Sequence, residues 1–253
     1  MGSPNLFILG AGKCGTTSLY HLFERHPDIA VSPVKEPSFF CSHFQVVSNP
    51  IEYFNLFDNN ARFRVDASHV YLSNPETAPV LKDLFPDAKF ILTFRDPKAR
   101  AHSLFQHMRR SRHVDGNPFE PIEQFHDALV AEEERATSRC FAEECRQYYW
   151  NFLYMRSSCY DAQLERYFAL YPRENFFVTT LAEMTKNSDG IIKEISNFLG
   201  IDMAGFGSDM PLTNVAPDYD SFSPECDAIM EGCFGDLTSR VDRIVGRSLD
   251  WSI

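Results

Sequence analysis

No run of apolar residues in this 253-residue chain is long enough to cross a bilayer, and no basic start leads into a hydrophobic stretch. The expectation is a chain with neither a transmembrane segment nor a secretory leader, working in the cytoplasm. Cysteine is present but unorganised: the seven residues are odd in number and scattered, with no C-x-x-C pair and no zinc-ligand spacing. That excludes a disulfide framework and a structural metal site as the basis of the fold, and fits a reducing compartment. Repeats, low-complexity tracts and long flexible linkers are also missing, so residues 1–253 read as one domain. Positive charge is scarce as well, 24 Lys and Arg against 35 Asp and Glu, a net −11. This argues against nucleic acid or a strongly anionic polymer as a partner, since both need broad basic surfaces. A small anion held by a few focused cations stays compatible with that balance.

What is present is a 44% apolar composition arranged as short apolar runs alternating with helical periodicity. Leu6–Leu9, Phe63–Val65, Lys89–Phe94 and Asn175–Thr179 read as strands. Helices are expected over Thr16–Phe23, Pro75–Phe85, Lys98 to about Arg110, Ser158–Leu170, Ser188–Leu199 and Pro224–Leu249. Gly200 is a natural stop for the fifth of these. The charge-rich stretch 118–141 reads as an exposed helical insert, and 202–223 as a loop over the site. Strands alternating with helices predict an α/β fold, a mostly parallel central sheet flanked by helices on both faces. In such sheets ligands bind at the carboxyl ends of the strands.

The most informative segment lies at one of those ends. Gly10-Ala11-Gly12-Lys13-Cys14-Gly15-Thr16-Thr17-Ser18 joins the first strand to a helix. Glycines let backbone N–H groups approach an anion, the first-turn amides have no helical partner, and the helix dipole favours negative charge there. A phosphorylated ligand is therefore expected. A nucleotide-triphosphate P-loop places lysine directly after its last glycine, whereas Thr16 stands there and the lysine, Lys13, lies inside the loop. Cys14 reads either as a reactive thiol, its pKa lowered by the loop dipoles, or as a small filler residue.

A second segment, Arg95-Asp96-Pro97 with Ser103 on the following helix, suits a second anionic group held by a guanidinium fork and a hydroxyl. Alone it is equally readable as a salt bridge capping the helix. A third segment, Lys35-Glu36-Pro37-Ser38-Phe39-Phe40, carries a candidate carboxylate beside a lysine.

In this order the three segments resemble the sulfotransferase family, closest in look to the heparan-sulfate type and its bacterial relatives. The resemblance implies a P-loop-like sulfotransferase fold and the donor 3′-phosphoadenosine 5′-phosphosulfate, with no metal. It implies that the loop from Gly12 through Lys13, Cys14, Gly15, Thr16, Thr17 and Ser18 holds the 5′-phosphosulfate. Arg95 and Ser103 would take the 3′-phosphate, and Tyr160 falls in a region that packs near the adenine. Lys13 would be the cation at the leaving group and Glu36 the base for the acceptor proton, with Lys35 either a second site cation or solvated. In the heparan type a lysine belongs at the position of Ala67; here His69, two residues on, is the candidate substitute. Residues 202–223 contain no Lys or Arg, although Thr213 and Asn214 could close over the nucleotide. The acceptor implied is a small molecule or modest glycan bearing a hydroxyl or amine. Phe39, Phe40, Tyr71 and Phe105 are candidates to wall its pocket, while His102 and His107 read as structural or solvated. Two other readings stand beside this one: a P-loop nucleotide kinase or ATPase, and a nucleotide-binding module without activity.

Overall fold

The computed structural model describes residues 2–207, 209–211 and 222–252. Five strands, β1 (Leu6–Gly10), β2 (Ile29–Val31), β3 (Phe63–Asp66), β4 (Lys89–Phe94) and β5 (Phe176–Thr180), form one parallel sheet in the order β2-β3-β1-β4-β5. The register pairs Leu6 with both Val65 and Lys89, and Phe90 with Phe176. This is the α/β architecture the sequence predicts.

Burial explains why β1 has no polar face. Its five residues are all buried, because helices cover both sides of the sheet. Period-two alternation sends Phe7, Leu9, Phe90 and Leu92 into one core with Tyr71, Tyr160 and Tyr167. Leu6, Ile8 and Ile91 enter the other, against Leu19, Leu22, Phe23, Ile191 and Ile195. The helices Thr16–Phe23 and Ser188–Leu199 keep their expected bounds. The latter stops at Gly200, whose φ of 65° is the left-handed conformation a glycine adopts without strain. Among the described residues no helix is long and apolar enough to cross a membrane.

Three expectations on local structure need correction. The stretch 118–141 is helical from Phe125 on, over Phe125–Val130, Glu132–Thr137 and the start of Arg139–Glu144, but it is not an exposed insert. Phe125, Ala128, Leu129, Glu120 and Glu132 in it are buried. Charge density misled the reading because these charges neutralise one another indoors. Arg135 donates to both oxygens of Glu120, at 2.7 and 2.8 Å, and the Tyr154 hydroxyl donates at 2.6 Å. Glu132 accepts the backbone N–H groups of Met155 and Arg156. Removing one partner of a buried pair strands the other, so Glu120→Ala is expected to cost about 3–5 kcal/mol in a urea titration. A loss below about 1 kcal/mol, the scale of an exposed pair, would show that this ion pair does not hold the segment.

The expected helix from Pro224 to Leu249 is two helices, Pro224–Phe234 and Leu237–Val245, because the chain leaves helical dihedrals at Asp236. The break lets Phe234 and Leu237 both reach the core. The short edge strand β2 and the helix Pro50–Asn55, N-capped by the Asn49 side chain, were not expected at all. Of the expected loop 202–223, residues 203–206 form a 3₁₀ turn; Thr213 and Asn214 lie outside the described residues.

Candidate active site

The carboxyl ends of β1, β2, β3 and β4 point the same way and deliver four loops to one cleft of about 680 Å³. From β1 comes the glycine loop. Gly15, at φ 89°, caps the helix Thr16–Phe23, and Lys13 itself sits at φ 69°. A Cβ on Gly12 would lie 2.6 Å from His69 Cδ2, and one on Gly15 would lie 2.7 Å from Met184 Cε. At Gly12 the His69 ring leaves no room for a side chain, while at Gly15 it is the left-handed backbone that favours glycine, since the Met184 end could move aside. The loop is braced from below: Thr93 Oγ1 donates to the Cys14 carbonyl at 2.8 Å and the Ala11 N–H to the Thr93 carbonyl at 2.8 Å. Arg100, almost fully buried, donates to the Gly12 carbonyl and to the hydroxyls of Ser157 and Ser158.

Ten of the expected site residues line this cleft: Gly12, Lys13, Gly15, Thr16, Thr17, Ser18, Glu36, His69, Arg95 and Ser103. Burial pushes the Lys13 ammonium below its usual pKa, and Arg110, Arg95 and Arg100 push it the same way. Like charges are thus gathered on one wall of a chain that is acidic overall, an arrangement that an anion would relieve. Arg95 follows β4, and Asp96 and Pro97 start the helix Pro97–Arg110, the Asp96 carboxylate accepting the Ala99 N–H at 2.8 Å. Ser103 reaches the cleft from that helix.

Two expected residues are not in the cleft. Cys14 is fully buried, its Sγ near the Gly12 carbonyl and the Tyr160 hydroxyl, and burial raises its thiol pKa. The side chain is packed in the core, which leaves only its backbone to face the cleft. Tyr160 is also fully buried. Its ring stacks on Phe94 at 4.4 Å and its hydroxyl donates to the Arg95 carbonyl at 3.1 Å. It supports the Arg95 turn from behind instead of facing a ligand.

Glu36 and His69, alternatives in the sequence, form a pair. His69 Nδ1 lies 2.8 Å from Glu36 Oε2, and Lys35 Nζ is bonded to the other carboxylate oxygen. Burial alone would raise the Glu36 pKa; His69 and Lys35 together outweigh it and hold the carboxyl far below the usual range. An ionised carboxylate only accepts, so Nδ1 carries the proton and Nε2 is the ring nitrogen on the Gly12 side. Glu36 sits at φ 59° and Ser38 at φ 53°. A buried relay holds this loop: the Ser38 N–H donates to Ser68 Oγ, and Ser68 Oγ donates to Asp66 Oδ1 at 2.6 Å. The Tyr53 and Tyr71 hydroxyls donate to Asp66 Oδ2. Burial raises the Asp66 pKa to about 6, against the pull of those hydroxyls.

The acceptor wall differs from expectation. Tyr71 and Phe105 are core residues, and Phe39 and Phe40 pack on Tyr53. Among the described residues no Phe, Tyr or Trp lines the cleft; Lys35, Leu104, His107, Asn151, Leu181 and Thr185 do. His107, which the sequence alone reads as structural or solvated, faces the cleft. Its signal was its place four residues after Ser103, which puts both on one helix face. Burial, then Lys13, His69 and Arg110, lowers its pKa to about 4, so the ring is neutral near pH 7. Asn151, Leu181 and Thr185 come from distant segments that carry no local signal.

Comparison with known proteins fits this geometry. The family description "Sulfotransferase domain" matches residues 3–215. The chain is 33% identical over 143 residues to the membrane-associated sulfotransferase kil1 of Dictyostelium discoideum, covering 54% of this chain and 29% of that protein. It is 25% identical over 208 residues to human bifunctional heparan sulfate N-deacetylase/N-sulfotransferase 3, covering 78% of this chain and 22% of that one. The chain thus spans less than a third of the length of these curated relatives. A sulfotransferase crystal structure from Alicyclobacillus acidocaldarius superposes with a TM-score of 0.79 at 27% identity, over 98% of this chain and 97% of that one.

Proposed function

Because the chain belongs to the sulfotransferase family, we propose that it moves a sulfuryl group from 3′-phosphoadenosine 5′-phosphosulfate to a hydroxyl or amine of a hydrophilic small molecule or modest glycan. One observation carries this reading: Lys13, Arg95 and the Glu36–His69 pair share a single cleft. The residues fit a nucleotide with anionic groups at two places. Gly12 and Gly15 leave room where a side chain would collide, and two separate cationic stations face the same space. The donor, when bound, supplies an activated sulfuryl group. The loop amides and Lys13 would hold the end that carries it, and Arg95 with Ser103 the far phosphate.

The chain's own part in the reaction is positional and electrostatic. Lys13 holds positive charge where negative charge grows on the leaving group. The Glu36–His69 pair takes the acceptor proton, with Nε2 as the receiving atom and Glu36 fixing the tautomer and offsetting the imidazolium that forms. The polar lining of Lys35, His107 and Asn151 favours a polyol or amino sugar over a flat apolar phenol. A kinase reading has nothing comparable in its favour, since Thr16 occupies the position its lysine would need.

Acceptor screening with sulfur-labelled donor tests the reading. Label is expected in polyol or amino-sugar products; nucleotide-independent inertness toward every acceptor, or phosphate release from Mg-ATP, would overturn it. Arg95→Ala checks the second station. It is expected to weaken adenosine 3′,5′-bisphosphate by about 10–100-fold, the cost of about 1.5–3 kcal/mol for hydrogen bonds to a charged group. Adenosine 5′-phosphate, which lacks the 3′ group, should lose little; equal losses for both would contradict the assignment.

A further inference from the structure

Seven cysteines offer one place where two sulfurs meet. Cys159, just before the helix Tyr160–Phe168, has its Sγ 3.8 Å from Sγ of Cys233, in the last turn of the helix Pro224–Phe234. The two are 74 residues apart in sequence, and both are half-buried, within reach of a small oxidant. The other five lie elsewhere: Cys14, Cys41 and Cys226 are buried, Cys145 is half-buried and Cys140 is exposed.

We propose that Cys159 and Cys233 are a reversible dithiol–disulfide site that fastens the Pro224–Phe234 helix to the scaffold beneath the cleft. The chemistry balances with a peroxide as oxidant. The Cys233 thiolate attacks a peroxide oxygen, the O–O bond breaks, and a sulfenic acid forms as hydroxide leaves and is protonated to water. The Cys159 thiolate then attacks the Cys233 sulfur, forming the S–S bond and expelling a second hydroxide, again protonated to water. Two thiols and one peroxide give one disulfide and two waters, and a dithiol reductant reverses the change.

The order of attack follows from the surroundings. Cys233 is held below the usual thiol pKa first by its contact with the Cys159 sulfur, against burial, with Arg156 pulling the same way. Cys159 is pushed up by the same contact and by burial. On that direction Cys233 attacks first and Cys159 resolves, while the cross-link itself rests on the 3.8 Å approach of the two sulfurs and not on their order.

Position gives the bond its consequence. Ser157 and Ser158, immediately before Cys159, hold Arg100, which in turn holds the Gly12 carbonyl. Tyr160, immediately after it, holds the Arg95 carbonyl. The helix bearing Cys233 is already tied to the Pro97–Arg110 helix, because Lys98 pairs with Asp227 and Glu231. A disulfide needs the sulfurs at about 2 Å. Closing from 3.8 Å moves the strut behind both anion stations, so oxidation is expected to weaken nucleotide binding. That last step alone rests on the function proposed above.

The test treats the purified chain with hydrogen peroxide, then counts thiols under denaturing conditions and maps peptides. The expected result is loss of two of the seven thiols, a Cys159–Cys233 cross-linked peptide, and full recovery with dithiothreitol. Cys159→Ser and Cys233→Ser should each abolish the cross-link. Thiol loss confined to Cys140 and Cys145, or an intermolecular link, would overturn the proposal, as would resistance of all seven thiols to oxidation. Binding of adenosine 3′,5′-bisphosphate to reduced and oxidised chain is read separately. A formed cross-link with unchanged affinity would overturn the coupling and keep the disulfide, whereas no binding in either state would count against the nucleotide reading instead.

Discussion

Lys13→Met is expected to lower turnover by about 10²–10³-fold, the usual loss when one preorganised charge-stabilising group is removed. Methionine keeps the unbranched stem at a position whose φ is 69°, so the change tests the charge more than the backbone. The fold should not suffer. Lys13 is destabilised in place by burial and by Arg110, Arg95 and Arg100, so discharging it relieves repulsion and leaves the thermal midpoint of the free chain unchanged or higher. What should fall is the stabilisation that adenosine 3′,5′-bisphosphate confers, since ligand stabilisation tracks affinity. Activity within a few fold of the parent would remove Lys13 from the mechanism. A lower midpoint without ligand would mean that the lysine is structural.

Glu36→Gln is the second large effect: turnover is expected to fall by about 10²–10⁴-fold, the range that general-base assistance contributes, with nucleotide affinity unchanged. Glutamine fills the same space at φ 59° and still reaches His69, but it neither fixes the imidazole tautomer nor balances its positive charge. His69→Ala should cost the same order, and the double variant no more than the worse single one, because groups acting as a unit are not additive. Separate and additive losses would show that the two act independently. Full activity in Glu36→Gln would leave His69 as the base without its carboxylate partner.

The parts that were legible in the sequence are those with local physical signatures. Leu6–Leu9 breaking into three glycines and a lysine specified a buried strand and an anion loop, and the Ser188–Leu199 helix announced both of its ends. The parts that were not legible depend on partners far away in the chain. Glu120 and Arg135 look like surface charges until the fold pairs them in the interior. Cys14 and Tyr160 sit in site motifs, yet the loop and helix turn both side chains into the core. Asn151, Leu181 and Thr185 enter the cleft from segments with no pattern of their own.

By itself the sequence determined the parallel α/β plan, the loop that cradles an anion, and the arginine and hydroxyl eight residues apart, because hydrophobic period, glycine placement and capping act over a few neighbouring residues. Only the tertiary structure decided that Glu36 and His69 are one pair, that His107 faces the cleft, and that its described walls carry no Phe, Tyr or Trp. The reason is that a side chain's charge state and facing are set by whatever packs around it. In this fold those neighbours lie from 30 to 146 residues away along the chain, beyond the reach of any local pattern.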